Sequence, residues 1–290
     1  MIKDGRRELK RYGALFTCLA SRAVHIETAN SLDTDSFINA LRRFISRRGP
    51  VREFRCDNGK NFVGAARELR EALTEMSQEQ ITKELLCQGI NWKFNPPTAS
   101  HMGGVWERQI RTIRNVLSSL LQNYGGRLDD EAFRTLMCEV ESIVNSRPLT
   151  FPSDDPNDLE ALTPNHILTM KPVLLPPPGH FQSSDVYIRK RWRRIQYLAN
   201  LFWSRWKREY LLTLQQRPKW NSSEHNLNIG DIVLLKEDNA PRFQWHMGRV
   251  LSTVSDNKGH VRSVKVKTQN SEYVRPIHKL VLVLPIEEQM

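Results

Sequence analysis

Hydrophobic positions change their spacing several times along the first part of the chain. Residues 12–20 are almost continuously apolar, which predicts a central strand covered on both faces. Residues 23–27 alternate, which predicts a half-covered neighbouring strand after a short hairpin turn at Ser21 and Arg22. Residues 31–48 have helical spacing, with Asp33 or Asp35 able to cap the helix start.

The same patterns continue after Gly49 and Pro50, which end that helix. They predict strands at residues 51–56 and 90–94, and helices at residues 65–76, 78–88, from Gly104 onward, and at 129–146. Strands interleaved with helices indicate an α/β fold, with a mixed sheet and flanking helices.

Proline dominates the segment that follows, and it predicts a partly extended connector. A long amphipathic helix is predicted at residues 184–216, with Ser184 and Asp185 at its start. Short apolar runs at residues 229–235, 246–251, 261–267 and 279–283 are separated by turn residues, and they predict a small β-barrel.

Composition separates the two parts of the chain further. The net charge is +11, and residues 181–290 hold 19 lysines and arginines against 10 acids, whereas residues 1–180 hold 24 against 22. A basic second part suggests a module that binds a polyanion, although a solvated basic surface would have the same composition.

The four cysteines lack the paired spacing of a zinc site. No apolar stretch is long enough for a membrane span, so we expect an intracellular protein without membrane contact.

One acid follows a predicted strand directly. Asp57 comes after the strand at residues 51–56 and precedes Asn58 and Gly59. This trio forms turns readily, so Asp57 could be a turn residue without a function. Its place at the end of a core strand, where open sheets bind ligands, makes it a candidate metal ligand.

A second acid opens the helix after Gly103 and Gly104. Glu107 lies beside the predicted packing stripe and shares a helical row with Arg111 and Arg114. It could simply be a first-turn glutamate favoured by the helix dipole. Together with Asp57, however, it offers oxygen ligands that suit Mg²⁺ or Mn²⁺.

Two such ions can activate an attacking oxygen and stabilise a leaving oxygen at a phosphodiester. Cations near the two acids are candidates for phosphate contacts: Lys60, Lys93, Arg108, Arg111 and Arg114. Each of them, taken singly, fits an ordinary solvated surface charge better.

The surrounding residues resemble a known family. Arg55-Cys-Asp-Asn-Gly-Lys-Asn-Phe62 resembles the middle motif of retroviral-type integrases, and Pro97-Thr-Ala-Ser-His-Met-Gly-Gly-Val-Trp-Glu107 resembles their third motif. Asn145-Ser-Arg-Pro-Leu-Thr150 and Leu162-Thr-Pro164 are similar to segments that follow the core in retrotransposon versions. The nearest resemblance is to the integrases of BEL/Pao long-terminal-repeat retrotransposons, and it extends over nearly the whole chain.

The resemblance implies a ribonuclease-H-like core at residues 1–170, a linker at 171–183, a basic helix at 184–222, and an SH3-like barrel at 223–290. It also implies a two-ion site built from Asp, Asp and Glu, in which Asp57 and Glu107 match the last two. The first Asp belongs to a strand that we expect to be absent, because Met1 lies just before a predicted turn that contains Asp4. We therefore expect an N-terminally truncated integrase with impaired activity.

The second part carries its own candidate contacts with DNA. Arg189, Arg193 and Arg194 surround the tryptophan-bearing start of the basic helix. In the barrel, Lys265 and Lys267 should face outward while the alternating valines face inward. Small barrels of this kind bind DNA or protein tails, and the sequence does not choose between the two. The tryptophans fall on the apolar stripe, where core packing is the expected role.

Two classes of function follow. The first is an integrase core with a DNA-binding region, which implies DNA 3′-end processing and strand transfer, element and target DNA as partners, homo-oligomers and a nuclear location. The alternative is a non-catalytic DNA-binding remnant or a host-recruited DNA-binding protein, which needs only the basic region. A related nuclease has no particular support.

Overall fold

The computed structural model describes residues 2–4, 7–56, 63–68, 91–94, 104–149, 162–170, 176–214, 227–237, 240–257 and 259–286. The chain divides into two compact units. Unit 1 comprises Met1–Leu19, Val24–Glu141 and Val186–Ile195, and unit 2 comprises Ala20–Ala23, Ser142–Asp185 and Gln196–Met290. None of the described helices is long and apolar enough to cross a membrane.

Unit 1 begins with antiparallel strands. Strand β1 (Ile2–Asp4) pairs with β2 (Arg7–Leu9), and Asp4 is the register partner of Arg7. Asp4 was predicted to lie in a turn, but it ends a strand of three residues. Strand β3 (Tyr12–Thr17) pairs with β4 (Val24–Ala29). The connection between Thr17 and Val24 is longer than the predicted two-residue turn.

Burial along β3 and β4 is the reverse of the prediction. Strand β3 has intermediate exposure at most of its positions, whereas five of the six residues in β4 are buried. The alternating pattern predicted β4 to be half exposed because His25 and Glu27 are polar, but these two residues are buried at 5% and 4% exposure. His25 and Glu27 contact each other, and they also contact Glu141 and Arg43 from helices further along the chain, so their polarity does not place them at the surface.

Helix α1 (Thr34–Arg48) follows the predicted spacing. Asp33 is its N-cap and accepts a hydrogen bond from the Ser36 amide at 2.7 Å, and Gly49 at φ 89° terminates it. Its buried residues Phe37 and Leu41 pack with Ala65, and partly buried apolar and aromatic side chains surround them. The core of unit 1 is therefore built from the apolar stripe that the sequence predicts for α1.

The remaining described elements of unit 1 are β5 (Glu53–Cys56), β6 (Asn91–Phe94), α2 (Gly104–Tyr124) and α3 (Asp130–Asn145). Residues 63–68 are also helical, whereas the helix predicted at residues 78–88 lies outside the described residues. Strands β5 and β6 are parallel, and β3 and β4 are antiparallel. The predicted α/β class with flanking helices is confirmed. Among the described residues, however, these two pairs form separate two-stranded sheets, so the single mixed sheet is not found.

Unit 2 contains α4 (Pro164–Thr169) and most of α5 (Arg191–Leu214). The long helix starts later than predicted, because Ser184 and Asp185 lie in a separate 3-10 turn. The Asp185 carboxylate there accepts a hydrogen bond from the Gln182 amide at 2.8 Å instead of capping α5. Trp192 was expected on the buried stripe, but it is 48% exposed.

Five antiparallel strands complete unit 2: β7 (Ile232–Leu235), β8 (Met247–Ser255), β9 (Val261–Thr268), β10 (Glu272–Pro276) and β11 (Leu280–Leu284). Their order in the sheet is β10-β9-β8-β7-β11. Among the described residues the two edge strands do not pair with each other. Four of these strands were predicted, whereas β10 was not. The predicted closure into a barrel is not found in the described part of the chain.

Both faces of this sheet are covered near β7, whose four residues are all buried. On one face, Val264 and Val266 pack in an aliphatic cluster with Val233 and Val250, and we call this the valine face. On the other face, Ile232 and Leu234 pack with Leu211 of α5, and we call this the α5 face. The alternation of a strand sends neighbouring residues to opposite faces, so β7 is covered from both sides.

Candidate functional site

Glu107 lies in the first turn of α2, and its side chain is exposed. Arg108, Arg111 and Arg114 are exposed on the same helix, whereas Ile113 is buried at 4% exposure. The predicted division of α2 into a packing stripe and an adjacent charged stripe is therefore confirmed. This charged stripe consists of Glu107, Arg111 and Arg114, and Arg108 is exposed next to Glu107 on the neighbouring row. Its carboxylate and guanidinium groups are of the kinds that bind a metal ion and phosphates.

Asp57 and Lys60 lie outside the described residues. The last described residue before them is Cys56, which ends β5 and is the register partner of Phe94 at the end of β6. Lys93 is exposed on β6, and its Nζ lies 2.7 Å from Glu53 Oε2 on β5. Because its charge is already paired, Lys93 would have to exchange this carboxylate for a phosphate in order to bind DNA.

Within the described residues no group of three or more His, Cys, Asp or Glu side chains is placed to hold a metal ion. Of the two predicted ligands only Glu107 is described. Its exposed carboxylate has the hard oxygen donors that Mg²⁺ and Mn²⁺ prefer.

The basic start of α5 has two kinds of arginine. Arg189 is exposed, and the Arg193 guanidinium lies 5.6 Å from the centre of the Trp192 ring. Arg194 instead donates from Nε to the Val186 carbonyl at 2.8 Å and from Nη2 to the Ile188 carbonyl at 3.0 Å. It also donates to the Arg127 carbonyl. The geometry therefore gives Arg194 a structural role, because its guanidinium holds the segment that leads into the helix.

Aromatic side chains of unit 2 form a packed cluster. The Trp203 and Trp245 rings meet edge to face at 5.1 Å, and the Trp206 and Tyr210 rings stack at 5.2 Å. Trp203 and Trp206 are 3% and 2% exposed, and Trp203 Nε1 donates to the Ala240 carbonyl. The prediction that tryptophans on the apolar stripe serve core packing is confirmed for this part of α5.

Lys265 and Lys267 are exposed on the α5 face of the sheet, while Val264 and Val266 are fully buried on the valine face. Register explains the placement. Lys267 lies opposite Arg249, and Arg249 lies opposite Ile232, so these three residues share one face. Helix α5 covers the β7 side of that face, and the β9 side carries the two lysines. Arg275 lies opposite Val264, so it belongs to the valine face and not to this basic patch.

A buried ion network in unit 1 was not predicted. Glu27 accepts hydrogen bonds from Arg43 Nε at 2.7 Å and Arg47 Nη1 at 3.1 Å, and His25 Nε2 lies 3.0 Å away. The other ring nitrogen of His25 lies 3.2 Å from Glu141. The sequence carried one weak signal, the polar pair His25 and Glu27 inside an apolar strand, but nothing in it identified the distant partners.

The environment of Glu141 determines its ionisation. Burial raises the pKa of Glu141, but hydrogen bonds from His25 and the Ile26 amide, and the charges of His25 and Arg48, outweigh burial and lower that pKa below its ordinary value of 4.5. The Ile26 amide donates to Glu141 Oε2 at 2.8 Å. A charged Glu141 therefore ties α3 to β4 at neutral pH.

Arg147, in the Asn145–Thr150 motif, is buried in unit 2 with 5% exposure. Its Nη1 donates to the Val144 carbonyl at 2.9 Å, and its Nη2 donates to the Arg22 carbonyl. Burial lowers the pKa of Arg147 to about 10, so it remains charged at neutral pH. The motif residue therefore caps α3 and fixes a connection between strands, and it does not present its charge to a ligand.

Comparison with known proteins identifies a sequence family described as "Family of unknown function (DUF5641)", which matches residues 190–283. No curated protein matches the sequence. The structure is similar to the simian T-cell lymphotropic virus intasome in complex with PP2A regulatory subunit B56 gamma, with 12% identity and a TM-score of 0.35 over 98% of this chain and 84% of that chain. It is also similar to the HTLV-2 integrase catalytic core domain in complex with magnesium, with 17% identity and a TM-score of 0.30 over 49% of this chain and 86% of that chain. Similarity at this level establishes neither family membership nor function for this chain.

Proposed function

We propose that the chain is an integrase of the BEL/Pao retrotransposon type, with a core that acts on DNA ends and a second part that binds DNA. The observation that carries the proposal is the charged stripe of α2. Glu107 closes an integrase-like motif and is exposed beside Arg108, Arg111 and Arg114. A carboxylate flanked by guanidinium groups suits a surface where a metal ion and DNA phosphates meet.

Asp57 and Glu107 are the residues that we propose to hold Mg²⁺ or Mn²⁺. When bound, a pair of such ions would activate the attacking oxygen and stabilise the leaving oxygen of a phosphodiester. The arginines of α2 would orient the phosphates from the adjoining turns of the helix. Because only two of the three acids of the family are matched in this sequence, we propose that strand transfer by this chain is impaired.

The second part of the chain supports DNA binding independently of the core. Lys265 and Lys267 are exposed together on the β9 side of the α5 face. This patch favours a second candidate function, a DNA-binding protein without catalysis, as a remnant or after recruitment by a host. Homo-oligomers and a nuclear location belong to the proposal as properties of the family.

The two functions separate in a paired measurement on the full chain. Duplex DNA binding is measured by fluorescence anisotropy across a salt series, and joining of labelled element-end DNA is measured with Mg²⁺ or Mn²⁺. Under the integrase proposal, weak joining of the labelled DNA ends depends on the metal and disappears in the Asp57→Asn and Glu107→Gln variants. Both variants should retain duplex affinity within about twofold, because neither substitution removes a positive charge that contacts DNA phosphates.

The variant Lys265→Gln/Lys267→Gln tests the DNA-binding part. It should weaken binding and reduce the slope of log affinity against log salt by about 2, since each phosphate contact contributes about one unit. The matched control is Arg42→Gln, which removes an exposed charge from α1. Binding without any joining would support the non-catalytic alternative, and salt-independent binding would contradict both functions.

A further inference from the structure

A surface cavity in unit 1 carries an unusual set of side chains. It has a volume of about 260 Å³ and is formed by residues of β4, α1 and α3, together with the segment that follows β4. Three arginines line it, Arg43 and Arg47 from α1 and Arg134 from α3. Glu27 is the only acid among the lining residues, so their formal charges leave an excess of two positive charges.

Glu27 does not cancel this excess, because its carboxylate serves to hold the arginines. One carboxylate oxygen accepts from Arg43 Nε at 2.7 Å, and the other accepts from Arg47 Nη1 at 3.1 Å. The Glu27 side chain is 4% exposed, whereas those of Arg43 and Arg47 are 42% and 58% exposed. The carboxylate is therefore more deeply buried than the guanidinium groups. Arg43 Nη2 also donates to the Thr28 carbonyl, and Arg43 Nη1 and the remaining nitrogens of Arg47 make no hydrogen bond with the described residues.

Arg134 is the third cation, and it is exposed. Within the described residues its guanidinium makes no hydrogen bond or ion pair. The acid one turn earlier on α3, Asp130, is already held by Arg11 through hydrogen bonds of 2.7 and 2.6 Å. Arg134 is therefore available to a ligand from outside the chain.

The neighbouring acids Asp130 and Glu141 hydrogen-bond to other groups, and Asp130 acts on Arg134 only through its charge. Glu141 is engaged by the Ile26 amide, His25 and Arg48. Cys138 lines the cavity, and burial together with the charge of Glu141 raises the pKa of its thiol, so that the thiol stays neutral. The polar residues Ser36 and Asn39 complete the wall with uncharged hydrogen-bonding groups.

The size and chemistry of the cavity define the class of ligand. Its volume lies just below the range of about 300–1,000 Å³ that is typical of small-molecule sites, so one compact anionic group with a small attachment would fill it. Guanidinium groups bind the oxygens of phosphates through pairs of parallel hydrogen bonds. We propose that this cavity binds a phosphate group through Arg43, Arg47 and Arg134, as a site separate from the charged stripe of α2.

The test measures phosphate binding to the full chain by titration calorimetry, with chloride at matched ionic strength as the reference. Inorganic phosphate should bind saturably at one site. Arg134→Gln should weaken it by about tenfold or more, because it removes a charge-assisted pair of hydrogen bonds. Arg134→Lys retains the charge but not the planar fork, so it should give an intermediate affinity. Arg42→Gln, on α1 but outside the cavity, is the matched control.

Arg134 is exposed and makes no hydrogen bond or ion pair with the described residues, so its variants should melt at nearly the same temperature as the parent chain. This separates loss of the site from loss of the fold. A parallel binding measurement with duplex DNA distinguishes free phosphate from the DNA backbone as the source of the phosphate group. If phosphate alone does not bind but Arg134→Gln weakens duplex binding and Arg42→Gln does not, the group recognised belongs to the DNA backbone. If Arg134→Gln behaves like Arg42→Gln in both arms, the proposal is wrong. Neither arm requires strand transfer, so the result is independent of the integrase proposal.

Discussion

Lys265 Nζ lies 2.7 Å from Glu272 Oε2, between the neighbouring strands β9 and β10 on the α5 face. Both side chains are about half exposed, at 46% and 47%. The pair places an acid inside the basic patch that we propose to contact DNA. Phosphates must therefore compete with Glu272 for Lys265.

Removal of this acid should strengthen DNA binding. Glu272→Gln frees Lys265, and we expect duplex affinity to rise about two- to fivefold at low salt, as the energy of an exposed ion pair implies. Anisotropy titrations at several salt concentrations measure the change. Asp35→Asn removes the same charge from the first turn of α1 and should leave affinity unchanged. Equal effects of the two substitutions would mean that only net charge matters.

Stability should fall in acid because of Glu141. Its pKa is lowered in the folded chain, so its stabilising contribution is complete above its unfolded value near pH 4.5 and is lost as the pH falls through the lower folded value. Urea unfolding between pH 3 and 7 measures this dependence. Glu141→Gln should cost about 1–3 kcal/mol at pH 7, since it leaves buried hydrogen-bond donors of β4 poorly satisfied, and it should flatten the acid limb. An unchanged acid limb in this variant would contradict the assignment.

Arg147 should not tolerate replacement by lysine. The planar guanidinium reaches the Val144 and Arg22 carbonyls together, and a single ammonium group cannot reproduce that geometry. We expect Arg147→Lys to lower the free energy of unfolding by about 1–3 kcal/mol, because a buried carbonyl loses its donor. Arg42→Lys, at an exposed position on α1, is the matched control and should change it by less than about 0.5 kcal/mol.

Gly248 is required for close packing on the valine face. A Cβ at this position would lie 2.9 Å from the Lys267 carbonyl oxygen and would overlap Cγ1 of Val266. Gly248→Ala should therefore destabilise the chain by about 1–3 kcal/mol. Gly13 in β3 has open space around the same position, so Gly13→Ala should be tolerated. Thermal unfolding of the two variants compares them directly, and equal melting temperatures would contradict the packing described for β8 and β9.

Local patterns predicted the elements well where the backbone period alone decides which side chains share a face. The N-cap at Asp33, the stripe of α2 and the alternation of Val264 with Lys265 all followed from spacing of one to four residues. Prediction failed where polar groups obtain partners from distant segments. Strand β4 illustrates this, because its polar residues His25 and Glu27 are buried with partners on α3 and α1.

The candidate site shows the same division. The sequence by itself determined the motifs around Asp57 and Glu107, the basic character of the second part and the two faces of its strands, because these depend on residue identity and local period. Only the tertiary structure decided that Glu27 is buried beneath Arg43 and Arg47, and that Arg134 lines the same cavity. Those contacts join β4, α1 and α3, whose separation along the chain leaves no periodic signal. A buried carboxylate is stable only with such partners, and folding alone brings them together.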